Sequence, residues 1–204
     1  MNKYTSLLYK LVKSSEFQTL LENINFNFSN LKQELLIRNA ILENINQQTN
    51  FVEYRAFAEH PRGIKGSRID LSIVESMKSI NPFLVEFKYQ YPFDIIKFDY
   101  ARTIERDFVK QKTKEKKTDL FILFMVMWDS IEKQQFDSNW NIDSNLSRYQ
   151  KLRQDKNGRD WESILKENFH SIKEGALLPT IIHTINKPYL VEYKIFFFER
   201  LNRD

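Results

Sequence analysis

The sequence predicts a mixed α/β domain in which a helix precedes three strands, and a second helix leads into a fourth strand. Three observations predict it. Two runs, SRIDLSIV and PFLVEFKYQ, alternate residue by residue with the period of two that half-buried strands show. A third run, DLFILFMVMW (119–128), is continuously apolar after its first residue, as a central strand covered on both faces requires. Two segments with apolar residues at helical spacing, about 31–47 and about 94–114, flank the alternating pair.

Taken in order, residues 4–22 read as helical, with Leu7, Leu8, Leu11, Leu20 and Leu21 near helical spacing and a break at Ser14–Ser15. NINFNFSN (23–30) reads as a loop that ends in a helix start, where Ser29 or Asn30 can cap. Leu31, Leu35, Ile37, Ala40, Ile41 and Ile45 then form the stripe of the 31–47 helix. Phe51–Ala58 is expected as a strand and HPRGIKGS (60–67) as a turn. After the alternating pair, Pro92 opens the second long helix, whose Ile96, Tyr100, Ile104 and Phe108 recur every four residues. Residues 129–160 are rich in Asn, Gln, Asp and Ser and read as a partly helical insertion. A short helix at 160–169 follows, and C-terminal strands within about 179–200 close the chain. Nothing marks a linker, so the expectation is one domain over 1–204 with its core at about 29–128.

Composition narrows the function classes. With 204 residues, 42% hydrophobic and 14% aromatic, the chain suits a folded globular domain and not a disordered one. A net charge of +4 and a pI near 9.1 permit a polyanionic partner without demanding one. There is no cysteine, which removes disulfides and thiolate metal sites. His60, His170 and His183 are too scattered to suggest a histidine-rich zinc site. MNKYTSLLYKLVKSSEF lacks the apolar core of a signal peptide, and no run reaches the ~20 apolar residues of a membrane span. The expectation is a cytoplasmic protein with no membrane partner.

The chemistry-bearing residues lie on the alternating pair. After Arg68, its only ionised side chains are Asp70, Glu86 and Lys88. In the first run Ile69, Leu71 and Ile73 share a face, with Asp70 and Ser72 opposite. In the second, Phe83, Val85, Phe87 and Tyr89 share a face, leaving Leu84, Glu86 and Lys88 on the other. If the strands pair as a hairpin, two carboxylates and an ammonium converge on one sheet face. Ionised groups flanked by core need a reason to be there. E-x-K alone carries little weight, because the chain has three such triplets: Glu86–Lys88, Glu115–Lys117 and Glu192–Lys194. What sets the first apart is Asp70 on the preceding strand.

With these residues in this order, the chain resembles the PD-(D/E)xK, or restriction-endonuclease-like, nuclease superfamily. Its core is α-β-β-β-α-β, with an acid on the second strand and an acid-x-Lys triplet on the third. The matching residues here are Asp70 and Glu86-Phe87-Lys88, with fifteen residues between the two acids. Glu34 falls where many members carry a further acid on the first helix. The match covers residues 29–128, and it departs from the pattern in having Ile69 where the superfamily has proline. The resemblance implies a Mg²⁺-dependent endonuclease, with Mn²⁺ as a substitute. Asp70, Glu86 and the Phe87 carbonyl would hold the ion, Lys88 would support the nucleophile, and Glu34 would be auxiliary. Mg²⁺ takes oxygen ligands and keeps several waters, so two carboxylates suffice once a phosphate completes the shell. The partner implied is nucleic acid, DNA foremost, and a homodimer would suit two-strand cutting.

Other assignments stay open at this stage. Glu53 rivals Glu34 for the auxiliary role. Arg62, Lys65 and Arg68, in and beside the glycine-bearing turn, are candidates for phosphate contact. KQKTKEKK (110–117) reads as a solvated helix end, and Trp128, Trp140 and Trp161 as packing residues able to stack on bases. The trio could instead be a Glu–Lys pair on a solvent-facing sheet surface. The chain could also be a nuclease-fold module without catalysis that binds nucleic acid or a protein partner.

Overall fold

Two short helices open the chain and are divided at Ser14. The Ser14 hydroxyl accepts the Phe17 amide (3.1 Å), so its extended backbone ends α1 (Lys3–Lys13) and caps α2 (Ser15–Asn27). The structure is a computed structural model that describes residues 1–48, 53–61, 68–76, 81–97, 118–143 and 157–201. Helix α2 continues through residues 23–27, where a loop is expected. Asn25 explains the difference: it is buried, donating to the Lys187 carbonyl (2.8 Å) and accepting from Gln33 (3.2 Å). Asn25 is used inside the packing, while Asn23 and Asn27 lie on the exposed side of the helix and do not mark a loop.

Helix α3 (Glu34–Gln48) starts three residues later than its apolar pattern suggests. Ser29–Asn30 make a turn and do not cap it. The Gln33 carbonyl takes the first helical amide, from Ile37 (3.0 Å). Ile37, Ile41 and Ile45 form the buried stripe, whereas Leu31 and Leu35 are more than half exposed.

The remaining elements are β1 (Tyr54–Pro61), β2 (Arg68–Glu75), β3 (Phe83–Gln90), α4 (Pro92–Lys97), β4 (Leu120–Trp128), α5 (Ser130–Asn139), α6 (Trp161–Ser171), β5 (Gly175–Leu177), β6 (Ile181–Ile185) and β7 (Val191–Arg200). Among the described residues the chain is thus α/β, with six helices and a mixed seven-stranded sheet in the order β1-β2-β3-β4-β7-β5, with β6 also on β7. Of the described strands only β3 and β4 pair in parallel. Strand β1 lies three residues beyond the expected span, because His60 and Pro61 pair with Ile69 and Arg68 instead of turning. Proline is tolerated there because β1 is an edge strand. Of the long helix expected at 94–114, α4 is its described start; the rest, the 110–117 basic run, and Arg62 and Lys65 lie outside the described residues.

The C-terminal strands are not appendages to a finished core. β7 pairs with β4 from Leu120↔Glu199 to Trp128↔Val191, and β6 and β5 divide its other edge. Helices α1–α3 cover one sheet face, packing Leu8, Val12, Phe17 and Ile41 against Ile73, Val85, Phe124 and Phe197. Helices α4 and α6 cover the other, packing Ile95, Trp161 and Phe169 against Phe121, Leu123, Met125 and Phe196. Two covered faces explain why β4 shows no alternation, and all nine of its residues are buried. Within 129–160, α5 is tied down by a lysine together with one apolar anchor, Phe136, whose ring packs against Tyr189. Buried Lys133 pairs with Asp137, donates to Asn30 (2.7 Å) and lies 5.2 Å from the rings of Trp128 and of Tyr189. Among the described residues no helix is long and apolar enough to cross a membrane.

Candidate active site

The site begins with a fork in the sheet. β2 and β3 pair at Ile73↔Phe83, Ser72↔Leu84 and Leu71↔Val85, and there the pairing ends. Beyond that point β2 stays with β1, through Ile69↔His60 and Arg68↔Pro61. β3 stays with β4, from Glu86↔Phe121 to Gln90↔Met125. Alternate residues of a strand direct their N–H and C=O groups to the same side. Since Val85 pairs towards β2, Phe87 and Tyr89 also direct their backbone groups into the fork, where no strand among the described residues meets them.

Carboxylates take the place of the missing strand. Asp70 Oδ2 accepts the Phe87 amide at 2.7 Å, and Glu34 Oε2, reaching in from the first turn of α3, accepts the Tyr89 amide at 2.7 Å. Both are charge-assisted bonds, the stronger kind. They satisfy the backbone of a strand buried on its Phe87 and Tyr89 face. An ionised residue beside core is therefore explained by hydrogen-bond accounting: where the strands part, acids close the ladder.

Glu86 and Lys88 project from the same stretch of β3. Lys88 Nζ donates to Glu86 Oε1 at 3.0 Å, and both side chains are largely covered. Burial pushes the Lys88 ammonium down, but Glu86, Asp70 and Glu34 together outweigh it and hold it above the ordinary lysine range. Three acids thus act on one lysine. Against this, the solvent-facing reading of the strand face does not hold. Ser72 and Leu84 on that face are buried, and Glu86 is only 8% exposed.

The structure also sorts the remaining candidates. Arg68, exposed, opens β2, and its Nη1 lies 3.9 Å from Glu59 Oε2. Glu53 is exposed, its carbonyl accepting the Ser76 amide (2.9 Å) at the end of β1 far from Asp70, so it does not share the site. Trp128 and Trp161 are buried, while Trp140 stays exposed beyond α5. His183 is buried with Nε2 2.6 Å from the Val12 carbonyl oxygen, a packing role. Glu59 is a residue that sequence reasoning missed. It stands across from Asp70, has a backbone φ of +54°, and pairs with buried Arg38. No motif marks it; only the register reveals it.

Among the described residues the candidate ligands at the fork are carboxylate oxygens, a donor type suited to Mg²⁺ or Mn²⁺. Asp70 and Glu86 could hold such an ion, and strand geometry aims the Phe87 carbonyl into the same gap. Three carboxyl groups thus surround a single lysine at the fork. Among the described residues no three acid or imidazole groups form a ready-made ion cage. No family model, curated protein or solved structure matches this chain.

Proposed function

We propose that the chain is a PD-(D/E)xK-type nuclease, a Mg²⁺-dependent phosphodiesterase that cuts DNA endonucleolytically in restriction or repair. The observation that carries the reading is the convergence of Asp70, Glu86 and Glu34 on Lys88 at the β2–β3 fork. The element order α3-β1-β2-β3-α4-β4 supports a restriction-endonuclease-like core. Asp70, Glu86 and the Phe87 carbonyl would hold the ion, with Glu34 as the auxiliary acid. When bound, a divalent ion polarises the phosphoryl oxygen and makes water a better nucleophile.

The chain's own residues do the rest. Asp70 is fixed by the Phe87 amide, so one carboxylate oxygen is oriented before substrate arrives. Lys88 keeps its proton through the neutral range and therefore acts as a charge, not as a base. Beside Glu86, that charge would stabilise the negative charge that grows on a bound phosphate. Arg68, exposed at the start of β2, offers a further cation to the backbone of a bound strand.

One observation favours a second reading. Asp70 and Glu34 each serve the β3 backbone, a task a nuclease-fold module without catalysis would also need. Such a module would bind nucleic acid in a salt-sensitive way, or a protein partner, and cut nothing. A plasmid-cleavage assay with Mg²⁺ or Mn²⁺ separates the two. Nicking or linearisation by the wild type, its loss on chelation, and its loss in Asp70→Ala and Lys88→Ala are the expected results. Equal activity in all three proteins, or cleavage indifferent to chelator, overturns the nuclease reading. Salt-sensitive binding with no cleavage under any divalent ion selects the module.

A further inference from the structure

We propose that the ion pair between buried Arg38 and exposed Glu59 is a positioning pin that holds Glu34 on the Tyr89 amide at the mouth of the fork. The inference deepens the nuclease reading and rests on it for its catalytic consequence.

The argument starts from Glu34. It sits at the first position of α3, and a helix end is where a chain frays most readily. Yet its carboxylate must cross to β3, a strand that α3 only partly covers. Something has to fix the angle of α3 against the sheet. Two attachments to β1 do so. Towards the C-terminal end, Asn46 clasps the outer edge of β1, its Nδ2 donating to the Ala56 carbonyl (3.0 Å) and its Oδ1 accepting the Ala56 amide (2.8 Å). Towards the N-terminal end, Arg38 Nη1 donates to Glu59 Oε1. Arg38 is one helical turn, about 6 Å of rise, from Glu34. The Asn46 clasp is a further eight residues along, about 12 Å, so of the two attachments to β1 Arg38 is the nearer to Glu34; Gln33, just before Glu34, ties the helix start to β7 instead, accepting from the Tyr193 hydroxyl at 2.8 Å.

The pair has features that a surface ion pair lacks. Arg38 is only 6% exposed, and its Nε and Nη2 are also engaged, by Asn39 Oδ1 at 3.2 and 3.0 Å. A guanidinium held at three nitrogens has one geometry. Glu59 adopts a φ of +54° in mid-strand, where a residue with a β-carbon is disfavoured. Its Cα pairing with β2 is missing between Ala58↔Leu71 and His60↔Ile69, the position across from Asp70. Strain persists when the surroundings over-determine it, and it clusters at functional sites. Here the left-handed turn of the backbone delivers the carboxylate to Arg38, and Oε2 also lies 3.9 Å from Arg68 Nη1. One strained residue therefore links α3 to β2 within two residues of Asp70.

The test reads the Tyr89 amide directly. Native-state hydrogen exchange is followed at Phe87 and Tyr89 in the wild type, Glu34→Gln, Glu59→Gln, Arg38→Met and the reciprocal swap Arg38→Glu/Glu59→Arg. Pinning predicts that Glu59→Gln and Arg38→Met speed Tyr89 exchange by about tenfold or more, the scale of lost outer-shell support. Phe87, held by Asp70, stays within about threefold of the wild type, and the reciprocal swap restores Tyr89. In the cleavage assay the same variants lower kcat by about 10- to 100-fold with KM within about twofold, and they add nothing to Glu34→Gln. Unchanged Tyr89 exchange in Glu59→Gln overturns the pin, as does equal acceleration at both amides, which is what general loosening produces. Should Arg38→Met fail to fold, Glu59→Gln decides alone. A wild type that never cleaves sinks the nuclease reading but leaves the exchange result to judge the pin.

Discussion

Glu86-Phe87-Lys88 and Glu192-Tyr193-Lys194 are the same triplet in almost the same sequence context, and the molecule uses them differently. Both lie on strands, with Phe87 and Tyr193 buried against the α1–α3 side. Through β4 the two lysines even share a sheet face, Lys88 beside Leu123 and Lys194 beside Met125. The difference lies in their neighbours. β7 is paired on both edges at this point, Glu192 with Met127 and Thr184, Lys194 with Met125 and Ile182. No amide needs a carboxylate there. Lys194 turns away from its triplet to Glu162 of α6 (2.6 Å) and lies 5.5 Å from the Trp161 ring. Burial raises Glu162, but Lys166 and Lys194 outweigh it and hold its carboxyl below the usual range. β3, by contrast, loses β2 after Val85 and draws in two acids. The fork, more than the triplet, makes the site.

The largest expected effect contrasts the two lysines. Lys88→Ala should lower the metal-dependent cleavage rate by about 10²–10³-fold, the cost of removing one electrostatic contact to a developing charge. Lys194→Ala should leave it within about twofold. Comparable losses from both would erase the distinction drawn between the triplets.

Next in size is a pair of changes at Asp70. Asp70→Asn retains an acceptor for the Phe87 amide while removing the charge, whereas Asp70→Ala removes both. Cleavage should be lost in both. Only the alanine should be strongly destabilised, by about 1–3 kcal/mol for a buried N–H left without its partner. Denaturant unfolding measures the gap. If asparagine and alanine are equally stable, the carboxylate is not closing the β3 ladder.

Much of this was readable beforehand, for definite reasons. The faces of Asp70, Glu86 and Lys88 follow from a period of two, and the burial of β4 from its unbroken apolar run, because both are local properties. Glu34 was locatable through the order of elements. The fork was not, since where β2 stops pairing with β3 depends on what β1, β4 and α3 offer, all distant in sequence. For the same reason YLVEYKIFFF reads as a strand but not as a strand inside the sheet. Leu31 misled because it precedes the helix, and Leu35 because, two residues before Ile37, it falls on the face opposite the buried Ile37, Ile41 and Ile45. Asn25, Gln33 and Lys133 misled because polar residues can anchor an element when partners are waiting in the core. Glu59 carries no local signal, its meaning being a matter of register and backbone conformation.

A smaller effect is expected at the second triplet itself. Lys194→Met removes a partly covered ion pair and a cation–ring contact, each worth about 0.5–1 kcal/mol. The denaturant midpoint should fall accordingly with the m-value and cleavage unchanged. A loss of cleavage at constant stability would instead join β7 to the site.

The smallest effect, and the most specific, is the titration of Lys88. Burial alone would lower its pKa, and only the joint pull of Glu86, Asp70 and Glu34 leaves it raised. The folded chain then binds this proton more tightly than the unfolded one. The stability it contributes is complete below the unfolded lysine value and is lost as pH rises through the higher folded value. A ¹³Cε titration of Lys88 should accordingly show its inflection above the ordinary lysine range. In Glu86→Gln and in Asp70→Asn the inflection should move down, because burial then faces fewer opposing charges. An inflection that ignores both substitutions would mean that the three acids do not converge on this ammonium, and the fork would hold two separate ion pairs instead of one site.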